Sequence, residues 1–338
     1  MINHPDLNLE LKPKIIPSIL AGFEAVANHV YLIILPIVID LFLWFGPHLR
    51  VKALLQPMIN GLTLPSEMAN GNFEQIFSST RDLYSLLTER FNLFSALRTL
   101  PVGIPSLISN ISPLANPLGS PLLIEARDIS SAIMIWLVIG LVGLIIASYF
   151  INSICHVVST DAAPISPGSI GWQTLQLLYL TIICVLFLLL IIFPALMLVS
   201  FLTLFSPVIG QIALFVGGLI IIWIITPMLF APQAIFMQHL PVLKALLSSI
   251  RMVRFALPST GLFFLIAIVI AQGLDLLWQI PPENSWFTLI GIAGHALVNT
   301  SLYAAIFIYY RDGFKWIQSI IIKNNLSQPA APERTKDQ

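Results

Sequence analysis

"QTLQLLYLTIICVLFLLLIIFPALMLVS", Gln173 to Ser200, runs for 28 residues without a charged side chain. About 20 apolar residues in a helix cross the hydrocarbon of a bilayer, so this stretch predicts a transmembrane helix with length left over for tilt. Pro194 lies inside it and predicts a kink near one end. Read outward from here, the chain offers five further apolar runs of spanning length, at 27–47, 129–150, 208–230, 259–280 and 287–310. The expected fold is all-α, a polytopic six-helix transmembrane bundle.

Composition agrees with that reading. Hydrophobic residues make up 57% of the 338 and charged ones only 9%, with mean hydropathy +0.90. Soluble domains carry about a quarter charged residues, so a water-soluble fold could not hide this much apolar surface. Sixteen basic residues balance sixteen acidic ones, and no run of one sign points to a nucleic-acid partner. The two cysteines, Cys155 and Cys184, do not make a disulfide framework, and the second lies inside an apolar run where a thiol behaves as a small hydrophobe. The polar, acidic opening of residues 1–14, within an N-terminal segment 1–26, lacks the pattern of a cleaved leader, so the first apolar run is expected to be a retained anchor.

Orientation follows from lysine and arginine in short loops. Residues 231–258 hold Lys244, Arg251 and Arg254 without an acid, and the segment 311–338 opens with Arg311 and Lys315; both are expected in the cytoplasm, with both termini. The loops 204–207 and 281–286 have no basic residue, which fits the outer side of a cell membrane. Residues 48–128 then form an extracytoplasmic cap despite Arg50, Lys52, Arg81, Arg90, Arg98 and Arg127, because long loops cross largely regardless of charge. Within the cap, Phe73, Ile76, Phe77, Tyr84, Leu87, Phe91 and Phe94 recur at helical spacing and predict an amphipathic helix. The prolines at 101, 105, 113, 117 and 121 predict extended loops over the outer mouth of the bundle.

Two short strings echo each other: "IVIDLFLWFGP" at 37–47 and "LDLLWQIPP" at 274–282. Asp40 and Asp275 each precede a helix-ending proline by six or seven residues, about 9–10 Å along a helix axis, and Trp44 and Trp278 follow at the level of an interfacial aromatic belt. Aspartate inside a bilayer needs a partner, water or a proton. Gln211, His295 and Asn299 are the polar groups on other spans that could supply one, and Arg50 or Lys52 of the cap would do the same in a purely structural role. Gly291 and Gly294, like Gly140, Gly143 and Ala147, predict close helix approach. His295 has no second ligand at helical spacing, so no metal is expected.

In "PVLKALLSSIRMVRF", Leu243, Leu246, Leu247, Ile250 and Val253 form one helical face with Lys244, Arg251 and Arg254 beside it, a pattern suited to the headgroup layer. No phosphate-binding glycine loop, H-E-x-x-H, G-x-S-x-G or paired CxxC is present, so no catalytic residue and no cofactor is assigned.

The stretches 240–270 and 291–316, with Ser248 to Arg254 and then Tyr309, Tyr310, Arg311 and Asp312, resemble the closing part of multi-pass bacterial membrane proteins of the YciC type. They are similar too to the membrane domain attached to some glycerophosphodiester phosphodiesterases. The resemblance covers roughly residues 170–315 and implies a basic amphipathic helix before the last two spans. It implies no phosphodiesterase activity, because the catalytic barrel is absent. The reading that results is a non-enzymatic integral membrane protein that organises a membrane lipid, another membrane protein or a second copy of itself. The alternatives are a secondary carrier or channel-like protein using Asp40 and Asp275, and an intramembrane lipid-modifying enzyme.

Overall fold

The computed structural model describes residues 12–61, 71–99, 102–159 and 167–326. Phe73 and Ile76 of the expected amphipathic face, and the end of the tail beyond 326, lie outside the side chains it describes. The fold is an all-α bundle; its described strands are β1 (His48–Arg50) and β2 (Leu123–Glu125), paired in parallel.

Among the described residues, four helices are long and apolar enough to cross a membrane. They are α6 (Ile129–Val158), α7 (Pro167–Phe205), α10 (Val242–Trp278) and α11 (Thr288–Leu326). The expected first span at 27–47 holds α2 (Ile34–Phe45), and a further helix, α1 (Ile15–Asn28), precedes it in residues expected to be a cytoplasmic segment; a 3-10 turn joins the two, which are bent by 93°. Counted as one span, the pair makes five. Two local features explain the bend. His29 leaves the helical region and its Nδ1 bonds the Ala25 carbonyl at 2.9 Å, closing α1; Pro36 then enters the first turn of α2, where its missing N–H costs nothing. The expected span at 208–230 is α8 (Pro207–Ile225), whose apolar stretch is too short to stand as a full span by length.

The lipid side of the bundle is plain in α7. None of its most apolar window is buried within the chain, and Leu186, Leu189, Leu190 and Phe193 all face outward. A helix apolar on every side is stable only inside a core or a bilayer, and soluble proteins rarely expose apolar patches beyond a few hundred Å². These helices mark an integral membrane protein. At the other extreme stands α11, the central post, with 56% of its most apolar window buried. Along it lies α1, brought close by Gly22, where a Cβ would sit 2.5 Å from the Ser301 carbonyl oxygen. Antiparallel to it runs α10, and Phe263 stacks on Tyr309 with ring centres 4.4 Å apart.

Residues 231–258 are not a free surface helix. The short α9 (Ala231–Gln238) is buried over most of its length, and the basic segment is the first part of α10, broken from the rest at Ala256 just before Pro258. The face turned inward carries Ala245, Ser249, Met252 and Val253. Leu243, Leu247 and Ile250 are exposed, as a face suited to the headgroup layer would be, whereas Val253 of the same expected face is buried against the bundle. The last helix also continues well past 310, to Leu326.

The cap is more ordered than its prolines suggest. β1 leads to α3 (Lys52–Gly61) and α4 (Gly71–Arg90), then a 3-10 turn at Leu93–Arg98 and the short α5 (Leu107–Ile111). Asn92 joins these pieces: its Oδ1 accepts from Leu49 N in β1 and from Phe94 N in the turn, both at 3.1 Å. Most of the described side chains of α4 are exposed, including Leu83, Tyr84 and Leu87, as is Phe91 just after it. Gly143 admits the cap turn at Leu97 and Thr99 rather than another span, while Gly140 meets open space.

Candidate functional site

The polar interior gathers at the end of the bundle that the cap covers. Asp40, on α2, is fully buried. Its carboxylate accepts from the Ser106 hydroxyl at 2.5 Å, Leu107 N at 3.0 Å and Ile108 N at 3.2 Å, so it caps the first turn of α5 from outside the helix. Ser106 completes the arrangement by accepting from Ser109 N at 3.0 Å. A helix N-terminus leaves backbone N–H groups without intrahelical partners and favours negative charge, so an aspartate here satisfies both the helix and itself. The partner is a cap segment, as the structural reading expected, but neither Arg50 nor Lys52: Lys52 pairs with Glu89 at 3.2 Å.

Asp275 sits across the bundle on α10 and contacts His295 Nδ1 at 2.6 Å. Both residues are buried, 5% and 3% exposed. Nδ1–H donating to the carboxylate leaves Nε2 as the second ring nitrogen, and it has no partner among the described residues. Asn299, one turn further along α11, donates to the His295 carbonyl at 3.2 Å. His295 also lies within electrostatic reach of Asp40. Ser148, Thr300 and Ser301 add buried hydroxyls without partners among the described residues.

One turn above Asp275, Trp278 lies in a glycine notch. A Cβ on Gly294 would stand 2.7 Å from its ring, and one on Gly291 would stand 2.7 Å from its carbonyl oxygen. Trp44 and Trp278 then wall a cavity of about 270 Å³, closed by Ile108 and Ile111 from α5 and by Ile280 and Glu283 from the loop between α10 and α11. Glu283 ties that loop to the cap, accepting from Arg90 at 2.6 Å and from Leu114 N at 3.0 Å, while its carbonyl accepts from Trp44 Nε1 at 3.1 Å. Asn116 donates to the Trp44 carbonyl at 3.1 Å.

Of the residues singled out from sequence, Asp40, Asp275, His295 and Asn299 come together, whereas Gln211 is exposed on α8, away from them. Lys244, Arg251 and Arg254 are exposed at the opposite end of α10, beside the outward-facing Leu243 and Leu247. Lys315 is exposed; Arg311 is half-buried, bonding the Val158 carbonyl at the end of α6 at 2.8 Å and Asp312 at 2.9 Å. Ser106 and Glu283 escaped sequence reading. Ser106 carried the one available signal, a helix-capping serine followed by an apolar pair. No group of three metal-ligating side chains occurs among the described residues.

The cap's own titrating groups are perturbed locally. Burial holds His48 below its ordinary 6.5, helped by the positive charge of Arg50, against a 3.2 Å bond from its Nε2 to the Leu43 carbonyl. Asp128 is held below the usual carboxylate range by Ser130 and by the backbone N–H of Ser131, as the cap of α6. Comparison with family models, curated proteins and solved structures finds no match to this chain.

Proposed function

We propose that the protein is a non-enzymatic, multi-pass component of a bacterial cell membrane that organises a lipid or protein partner through its cap and its basic end. The observation that carries this reading is the use of Asp40: all of its described bonds hold the cap to the bundle, which suits an anchor better than a moving carrier. The exposed Lys244, Arg251 and Arg254 beside Leu243 and Leu247 support contact with anionic headgroups. Since α10 and α11 are antiparallel, Arg311 and Lys315 share that end, and the positive-inside rule assigns it to the cytoplasm with both termini, leaving the cap outside. Kinship with YciC-type proteins belongs to the same proposal, supported by the basic helix ahead of the last two long spans.

The test is native mass spectrometry of the full chain from mild detergent together with proton flux in liposomes. Stoichiometric retention of a lipid or companion protein, and no flux that depends on Asp275 or His295, is the expected result. Flux lost in Asp275→Asn with folding intact would replace this reading by the carrier. One observation favours that second reading: on the ring whose Nδ1 meets Asp275, His295 Nε2 stands buried without a partner among the described residues, where a proton or a transported cation's water could bind.

A further inference from the structure

We propose that the basic end of the bundle holds one anionic glycerophospholipid, its phosphate set among cations that three separate segments bring together; the inference rests on the organising role above and names its partner. The point of assembly is Gly313 on α11. The Met252 side chain of α10 fills the space a Cβ would take there, and Pro13, just ahead of α1, stands 3.4 Å from the same position. Lys12 and Lys14 flank Pro13, Arg251 precedes Met252, and Lys315 follows Gly313 by two residues; all four are exposed. None of the four pairs with an acid among the described residues, and Asp312, beside Gly313, is already taken by Arg311 at 2.9 Å. Unpaired like charges repel one another, so a surface of this kind favours an anion that meets several of them at once.

Two observations select a lipid among anions. Leu247 and Phe255 lie four residues on either side of Arg251, on the same face of α10, and both are exposed; Ile16, two residues after Lys14, is exposed as well. A free phosphate would leave these side chains in water, whereas a headgroup sets charge and hydrocarbon side by side. Depth agrees. Arg311 bonds the carbonyl of Val158, the last residue of α6, so Gly313 lies just past the end of that span, where the headgroup layer begins. A zwitterionic lipid brings its own ammonium among the lysines, so the surface discriminates by net charge rather than by phosphate alone.

The experiment uses the full chain, stripped of lipid in detergent and titrated with dioleoylphosphatidylglycerol or dioleoylphosphatidylethanolamine, with one bound lipid per chain read by native mass spectrometry. Wild type is expected to prefer the phosphatidylglycerol, and rising salt should weaken that lipid alone. Lys12→Gln with Lys14→Gln, Arg251→Gln and Lys315→Gln should each weaken it by about fivefold per charge removed, while Arg127→Gln, an exposed cation of the cap, leaves it unchanged. Equal retention of the two lipids by wild type, or a loss confined to one of the three segments, overturns the site. Displacement of the bound lipid by excess inorganic phosphate would assign the cations to a soluble anion, and loss of a companion protein in these variants with lipid binding intact would assign them to an acidic protein; either result overturns the proposal. If a variant fails to fold, the salt response of wild type still decides. Loss of the lipid preference with a companion protein still retained removes the site alone; flux dependent on Asp275 and His295, with the preference intact, removes the organising role instead.

Discussion

His295 Nδ1 meets Asp275 at 2.6 Å, and the opposite ring nitrogen is buried without a partner among the described residues. In a buried pair each member neutralises the desolvation cost of the other, so removing one leaves an uncompensated group. Asp275→Ala and His295→Ala are each expected to destabilise by about 3–5 kcal/mol, and the double variant by less than the sum. Thermal unfolding in one detergent checks this. Additive losses would mean that the two side chains are not coupled.

Asp40 predicts a different pattern, because its partners belong to a helix end. Asp40→Ala strands the Leu107 and Ile108 N–H groups in a buried position, at about 1–3 kcal/mol for each unsatisfied group, whereas Ser106→Ala costs about 1 kcal/mol as an ordinary cap loss. The lesion should be local. Limited proteolysis is expected to open the cap between residues 102 and 127 in Asp40→Ala before the spans yield, and uniform destabilisation of the whole chain would count against the capping role.

The echo of Asp40–Trp44 in Asp275–Trp278 was legible because both strings end at the same cap-covered end of the bundle, and the wall shared by Trp44 and Trp278 bears out the common depth. Their partners were not. Ser106 lies 66 residues from Asp40, and nothing local distinguishes a serine that caps a helix from one that also holds a distant carboxylate. His29 escaped because the expected span began at 27, so Asn28 and His29 were read as its polar start rather than as a bend between two helices. In the first half of α10 the leucines of the expected headgroup face, Leu243 and Leu247, stay out, while the contact with the bundle is made by Ala245 and Ser249, small residues that hydropathy does not single out.

The pH response of the cap follows from His48, whose folded-state pKa is lowered by burial and by Arg50. Below the ordinary 6.5 the unfolded chain binds a proton that the folded cap resists, so stability falls as pH drops from about 6.5 and levels off once pH is below the folded value. His48→Gln, which keeps a donor for the Leu43 carbonyl, should flatten this step. Asp128 is lowered too, but from 3.8, so its contribution is lost only at lower pH, as the solution falls from that ordinary value through the depressed one. Melting temperature followed from pH 7.5 to 5 separates the two; a step in that range unchanged by His48→Gln would assign it to another group.

Gly22 tests what holds α1 to the central post. A Cβ there would lie 2.5 Å from the Ser301 carbonyl oxygen and 2.7 Å from Ala305 N and Cβ, two of those three being backbone atoms that cannot rotate away. The bundle must give, and overpacking of this kind costs about 1–3 kcal/mol. Gly217, on α8, has open space around its Cβ position, so Gly217→Ala removes helix-interior flexibility without a clash and should be neutral or slightly stabilising. Because α1 leads through the bend at His29 into α2, lifting it from α11 also shifts Asp40 beneath α5. Gly22→Ala is therefore expected to lower thermal stability and to increase proteolysis of the cap together, while Gly217→Ala does neither. A Gly22→Ala protein as stable as the parent would show that α1 can move along α11 without disturbing the polar cluster.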